Sequence, residues 1–303
     1  MKIAVYGAGG VGGYFGARLA AAGNEVHFIA RGAHLHSILK NGLKVESAAG
    51  DLHIKPANAT DDPANVGPVD AVMFAVKLWD VEAAAQKLPP LLHERTLVIP
   101  FQNGIEAPDL LKKYIDERQV SAGVAYIATA IRAPGVIAHT GTMQRLQVGA
   151  GAEAFAAACK AAGINIEQSP DIDRARWEKF VFLVGLSGVT ALSRQPVGVC
   201  RADPELRATL QDAMQETWRL GRARGVALAD DFVAERMKFV DTLHADMRTS
   251  MQHDLEQGNR LEAPWLCGAV ARLSLEMEFD APVNRTIYAA LKPYLDGSRV
   301  KAC

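Results

Sequence analysis

Residues 2–22 read K-I-A-V-Y-G-A-G-G-V-G-G-Y-F-G-A-R-L-A-A-A. The first five residues are an apolar, β-prone run that ends in glycine. Val11 to Ala22 then reads as a helix closed by Gly23. Gly7-Ala8-Gly9-Gly10-Val11-Gly12 satisfies G-x-G-x-x-G. Alone this pattern is weak, but here it leaves a predicted strand, opens a predicted helix, and is followed by a second strand at Glu25 to Ala30. Each glycine then has a physical reason. Gly7 allows the tight turn, Gly9 removes the Cβ that would block a pyrophosphate, and Gly12 lets the helix pack close on the strand. The helix N-terminus points N–H groups and the positive dipole at the phosphates.

The end of the second strand bears on which dinucleotide fits. NAD sites usually place Asp or Glu there for the ribose 2′-hydroxyl. This chain has Ala30-Arg31. A carboxylate would repel a 2′-phosphate, whereas a guanidinium pairs with one through forked hydrogen bonds. Arg31 therefore predicts NADP(H).

Outward from this unit, strands and helices alternate. Asp70 to Lys77 and Thr96 to Phe101 are near-continuous apolar strands, as expected of parallel strands covered on both faces. Helices are predicted over 34–40, 81–88, 106–116 and 153–162. Leu43 to Ser47 and Leu52 to Lys55 suggest a small hairpin or edge pair. Val120 to Ile131 and Val136 to His139 flank a turn at Pro134-Gly135, and Gln144 to Val148 and Ile164 to Glu167 are further strands. From Asp171 onward every segment has helical periodicity, clearest in Leu266, Val270, Leu273 and Met277. The fold class is therefore α/β, a Rossmann-type doubly wound sheet over residues 1–169 followed by an all-helical domain over 170–303. A ligand is expected at the carboxyl ends of the strands.

Composition excludes several classes of function. The 303 residues are 49% hydrophobic and 22% charged, ordinary for a globular chain. Lys and Arg number 33 and Asp and Glu 34, a net charge of −1. A nucleic-acid binder or a polybasic membrane-surface protein would show a basic excess. The longest apolar run, Val181 to Leu192, is broken by Gly185, Ser187, Gly188 and Thr190. It falls short of the roughly 18 residues that span a bilayer, so a buried core helix is expected. The N-terminal glycines and Arg18 argue against a secretory signal. Cys159, Cys200, Cys267 and Cys303 are widely spaced, which argues against zinc or a disulfide framework and for a reducing cytosol. His34 and His36 would point about 200° apart on a helix, so they cannot share a metal; no metal is expected.

A series of motifs occurs in one order: the glycine loop at 7–12, Arg31, Val76-Lys77, Gln102-Asn103-Gly104, Trp177-x-Lys179, then Ser250-Met251 with Asp254 and Glu262. This order resembles the ketopantoate reductase (2-dehydropantoate 2-reductase) family over nearly the whole chain. The resemblance implies NADPH-dependent reduction of a 2-oxo acid to a 2-hydroxy acid. It implies that Gly7, Ala8, Gly9, Gly10, Val11 and Gly12 hold the pyrophosphate, that Arg31 takes the 2′-phosphate, and that Lys77 lies on the cofactor side. Asn103 would stand between nicotinamide and substrate, Lys179 would donate the proton, Ser250 would bind substrate, and Glu262 would belong to the active-site end. The residue types suit the chemistry. An ammonium stabilises and then protonates the oxygen that gains charge when hydride reaches a ketone carbon. Glu262 would hold Lys179 in place. It also suits the first turn of a helix beginning at Pro264.

The chain departs from the family pattern on the substrate side. The family places asparagines four and eight residues after the lysine; here these are Leu183 and Ser187. Val197 takes the place of a third, and Ala263-Pro264-Trp265-Leu266-Cys267-Gly268 replaces the expected acid and Asn-Gly after Glu262. A buried unpaired hydroxyl costs roughly 1–3 kcal/mol, so fewer amides predict poorer binding of a hydroxylated substrate. A more apolar, branched-chain 2-oxo acid is the alternative substrate, and a catalytically silent NADP(H)-binding protein the alternative from another class. A homodimer is compatible with the helical half, although no heptad seam marks one.

Overall fold

The computed structural model describes residues 1–297, and Cys303 lies outside them. The chain forms two compact units, the first ending at Ala175 and the second beginning at Arg176. This division lies a few residues beyond the expected junction at Ser169-Pro170-Asp171. A Cβ on Gly149 would lie 2.9 Å from the Ile172 side chain, so the start of the next helix still packs on the first unit.

The first unit begins with β1 (Lys2–Tyr6), α1 (Gly10–Ala21) and β2 (Glu25–Ile29), the expected β-α-β unit. It continues through α2 (Gly32–Asn41), β3 (Leu43–Ser47), β4 (Leu52–Ile54), β5 (Asn58–Thr60), β6 (Ala71–Phe74), α3 (Val81–Ala85), β7 (Leu97–Pro100) and α4 (Ala107–Leu111). It closes with β8 (Gly123–Ala133), β9 (Val136–Val148), α5 (Glu153–Ala161) and β10 (Asn165–Gln168). Two predicted strands, 136–139 and 144–148, are one long strand. The predicted helices 81–88 and 106–116 are cut to single short turns of α-helix, and β5 was not predicted.

The strands form two sheets. One is wholly parallel in the order β5-β2-β1-β6-β7. Its order reverses between β1 and β6, the point where open α/β sheets bind ligands. The other is mixed, in the order β10-β9-β3-β4, with β8 antiparallel to β9. In the parallel sheet side chains alternate between two cores. Ile3, Val5, Phe28 and Met73 are buried with Tyr14, Phe15 and Leu19 of α1. Tyr6, Phe74 and Val98 are buried with Val81, Leu88 and Leu111 on the opposite face.

Helix α1 is the layer shared by both sheets. A Cβ on Gly16 would sit 2.7 Å from both Val5 and Phe28 of the parallel sheet, and one on Gly13 would sit 2.9 Å from Ile137 of the mixed sheet. The glycines let one helix approach both sheets at once.

The described second unit is helical: α6 (Ile172–Ser193), α7 (Val197–Ala202), α8 (Pro204–Ala223), α9 (Phe232–Thr242), α10 (Ser250–Glu256), α11 (Cys267–Glu276) and α12 (Pro282–Leu291). Helix α6 is its core, with Phe180, Val181, Val184, Leu186 and Val189 all buried. Gly185 opens its surface to Met214 of α8, and Gly188 to Ile287 of α12. Among the described residues no helix is long and apolar enough to cross a membrane. Leu266, Val270 and Leu273 are buried as their spacing predicts, but Met277 is exposed at the end of α11.

Candidate active site

The glycine loop lies within the first unit. Gly7 carries φ +98°, and a Cβ there would meet the Val76 nitrogen at 2.7 Å. A Cβ on Gly12 would lie 2.2 Å from the Gly7 carbonyl oxygen and 2.9 Å from Val5, so the helix start is pressed against β1. A Cβ on Gly9 would meet nothing within 4 Å. Such open space beside the loop is what a pyrophosphate needs. The N–H groups of Gly7 and Ala8 both donate to the Ile29 carbonyl, at 3.0 and 3.1 Å, which fastens the loop to the end of β2. Helix α1 starts at Gly10 with no side-chain cap and no acidic residue in its first turn. A helix's first N–H groups have no partner within it, so this terminus suits an anion.

Beside the loop is a pocket of about 350 Å³ whose lining includes Gly7, Ala8, Gly9, Arg31 and Lys77. Gly10, Val11 and Gly12 form the first turn of α1, outside that lining. Lys77 follows β6, is exposed, and stands 5.4 Å from the Trp79 ring centroid. Asn103 lies on the loop after β7, also outside the lining, half-buried and just before Gly104 with φ +134°.

Three residues around this site had no role assigned from the sequence. Gln102 donates its amide to the carbonyls of both Phe74 and Val76, at 3.1 Å each, and so ties the loop after β7 to the end of β6. The Nδ1 of His34 accepts from the Gly135 amide at 3.0 Å, which leaves Nε2 to donate to the Ala8 carbonyl at 2.8 Å. His34 thus buttresses the glycine loop, and burial holds its pKa down. Asp80 pairs with Arg31. The H-x-H spacing at His34 bears only on metal binding, and Gln102 and Asp80 reach partners distant in sequence, so no local pattern gives these contacts.

In the second unit, Lys179 and Leu183 are half-buried on α6, and Ser187 is fully buried. A step of four residues drifts about 40° around a helix, so two steps carry Ser187 into the interior. Its hydroxyl has no hydrogen-bond partner there. Burial pushes the Lys179 ammonium down from 10.5 to about 8, while the charge of Glu262 opposes the fall. Glu262 is itself buried. It precedes a short turn at Ala263–Trp265 but makes no capping bond to it, so Pro264 does not start a long helix capped by this carboxylate.

Ser250 opens α10 and is exposed. The capping hydroxyl is that of Thr249, which accepts from Gln252 N and shares a 2.8 Å hydrogen bond with Thr190 of α6. A threonine directly before a helix is a known capping signal. Val197 is buried at the start of α7. Cys159, Cys200 and Cys267 are free and buried.

The family model described as Ketopantoate reductase PanE/ApbA matches residues 3–153, and that described as Ketopantoate reductase PanE/ApbA C terminal matches residues 171–295. An oxidoreductase of Bacillus subtilis, YkpB, is 30% identical over 307 residues, which cover 97% of this chain and 99% of that protein. A solved PanE/ApbA family ketopantoate reductase from Ralstonia eutropha matches with a TM-score of 0.90 and 33% identity, over 97% of this chain and 98% of that one. A D-mandelate dehydrogenase solved with NADH and anilino(oxo)acetate shares the fold, with a TM-score of 0.88 and 20% identity over 97% and 98% of the two chains.

Proposed function

The chain belongs to the ketopantoate reductase family, and from that premise we propose that it reduces 2-dehydropantoate or a related 2-oxo acid with NADPH, using Lys179 as proton donor. The observation that carries the reading is the half-buried Lys179 of α6 within reach of the charge of the buried Glu262, where burial lowers the ammonium and that charge raises it. An acid with a pKa near the working pH combines the right protonation state with a ready proton. The bound nicotinamide supplies the hydride. The loop Gly7–Gly12 binds the pyrophosphate, Arg31 faces the 2′-phosphate, and Lys77 lies on the cofactor side. Asn103 donates its amide to a substrate oxygen. Lys179 stabilises charge on the ketone oxygen and protonates it, Glu262 keeps the ammonium in place, and Ser250 hydrogen-bonds the substrate carboxylate. The buried free thiols suit a reducing cytosol.

Leu183 supports a second reading of the substrate. It stands half-buried one turn after Lys179, where it offers apolar surface and no amide. That favours a branched-chain 2-oxo acid over one carrying a hydroxyl. A silent nucleotide-binding protein is disfavoured, because such a protein has no need of a desolvated ammonium.

One experiment separates these readings: NADPH oxidation against a panel of 2-oxo acids, with wild type and Lys179→Ala. Wild type is expected to turn over at least one acid, and Lys179→Ala to lose about 10²–10⁴-fold, the usual worth of general acid catalysis. Activity that survives in Lys179→Ala removes the proton-donor role. Tight NADPH binding without turnover of any acid leaves the silent protein. A kcat/KM for 2-dehydropantoate far above that for 2-oxoisovalerate rejects the apolar substrate. For the cofactor, Arg31→Ala is expected to lower the NADPH-to-NADH ratio of kcat/KM; an unchanged ratio rejects Arg31 as its reader.

A further inference from the structure

Arg31 already has an anionic partner. Its Nη2 donates to the Asp80 carboxylate at 2.5 Å. The two side chains are unequally exposed, 77% for Arg31 and 24% for Asp80. The carboxylate is therefore set into the wall, and the guanidinium is the part free to swing. Asp80 comes from the turn after β6, so the parallel sheet brings a carboxylate to the corner where Ala30-Arg31 supplies none. The pocket is mixed in sign, with Asp61 and Asp80 lining it alongside Arg31, Lys77 and Lys87. Tyr6 lines it too, and its phenol is pushed up by burial, against Arg31 and with the help of Asp62 and Asp80.

A ribose and a 2′-phosphate meet this corner differently. A ribose 2′-hydroxyl donates a hydrogen bond to a carboxylate and leaves the ion pair intact. A phosphate dianion is repelled by that carboxylate and competes with it for the guanidinium. An exposed ion pair is weak, so a phosphate that engages Arg31 through two forked bonds can displace Asp80. We propose that Asp80 is a specificity-determining residue at the adenosine end, and that it makes the site dual: it takes the 2′-hydroxyl of NADH with the Arg31 pair closed, and admits the 2′-phosphate of NADPH only when that pair opens. This rests on the nicotinamide dinucleotide reading of the pocket and adds a residue that opposes strict preference for NADPH.

The test is calorimetric binding of two fragments, 2′,5′-ADP and adenosine 5′-diphosphate, to the full chain, which needs no turnover. Asp80→Asn is expected to shift the affinity ratio toward 2′,5′-ADP by at least about tenfold, the worth of one charge-assisted contact. Asp80→Ser, smaller and equally uncharged, is expected to shift it the same way. Asp80→Glu is expected to keep the wild-type ratio. A ratio within threefold of wild type in both uncharged variants overturns the role of Asp80 and leaves the dinucleotide reading standing. Wild type that binds neither fragment overturns the dinucleotide reading, and this inference with it.

Discussion

Three titratable residues carry predictions of their own. Lys179 must be protonated to act as an acid, and burial brings its pKa down to about 8. The kcat/KM for reduction is therefore expected to fall as pH rises through about 8; a limb near the ordinary lysine value would mean the ammonium is solvated during turnover. The charge of Glu262 raises that pKa. Glu262→Gln is thus expected to move the same limb to lower pH in the pH–rate profile, whereas a residue acting by packing alone would leave the limb where it is. His34 titrates in the opposite range. Its pKa is held below 6.5 in the folded chain because burial disfavours the charged ring. The folded state then binds fewer protons than the unfolded one as the solution acidifies. The stability it confers is full above 6.5 and is lost as pH falls through the lowered value. Chemical denaturation from pH 7.5 to 5 should show that loss in wild type and a smaller one in His34→Gln. At this scale the sequence discloses residue types and motif order, which is what makes Lys179 and Arg31 candidates. It does not disclose environment. The lowered ammonium, the carboxylate beside Arg31 and the exposure of Ser250 all depend on segments far apart in the chain.

At the scale of the element, the start of α1 sets open space at its cap Gly9 against close packing at Gly12. A Cβ on Gly9 meets open space, and one on Gly12 meets a backbone oxygen at 2.2 Å. Gly9→Ala is expected to keep the melting temperature within a degree or two and to weaken NADPH binding at least about tenfold, because the methyl occupies the space beside the loop. Gly12→Ala is expected to cost about 1–3 kcal/mol of stability as well, since α1 must move off β1. Thermal melts paired with calorimetry distinguish the two; equal melting temperatures would mean that α1 has slack against β1. The strand–glycine–helix order was legible because it is local. The bounds of α3 and α4 were less so: 3₁₀ turns continue or replace parts of their helical pattern, and an apolar spacing does not tell the two apart.

Across the whole molecule, the strand count was nearly legible and the division into two sheets was not. Nothing near Val45 announces that it pairs with Ile137 rather than with the neighbouring parallel sheet. Such pairing is long-range, and a hydrophobic pattern fixes which face of a strand is buried without naming its partner. The pocket beside the glycine loop is lined by first-unit residues, from Tyr6 to Ile131. Saturating 2′,5′-ADP is therefore expected to slow amide exchange at residues 6–12, 29–34 and 75–87. Unchanged exchange there, with binding confirmed separately, would place the nucleotide elsewhere. The glycine-lined α1 has a practical consequence. Because it touches both sheets at distances that leave no room for a methyl group, its sequence is a poor place for an engineer to alter nucleotide preference. Rewriting belongs at positions 31 and 80, whose side chains line the pocket and do not lie between α1 and the two sheets.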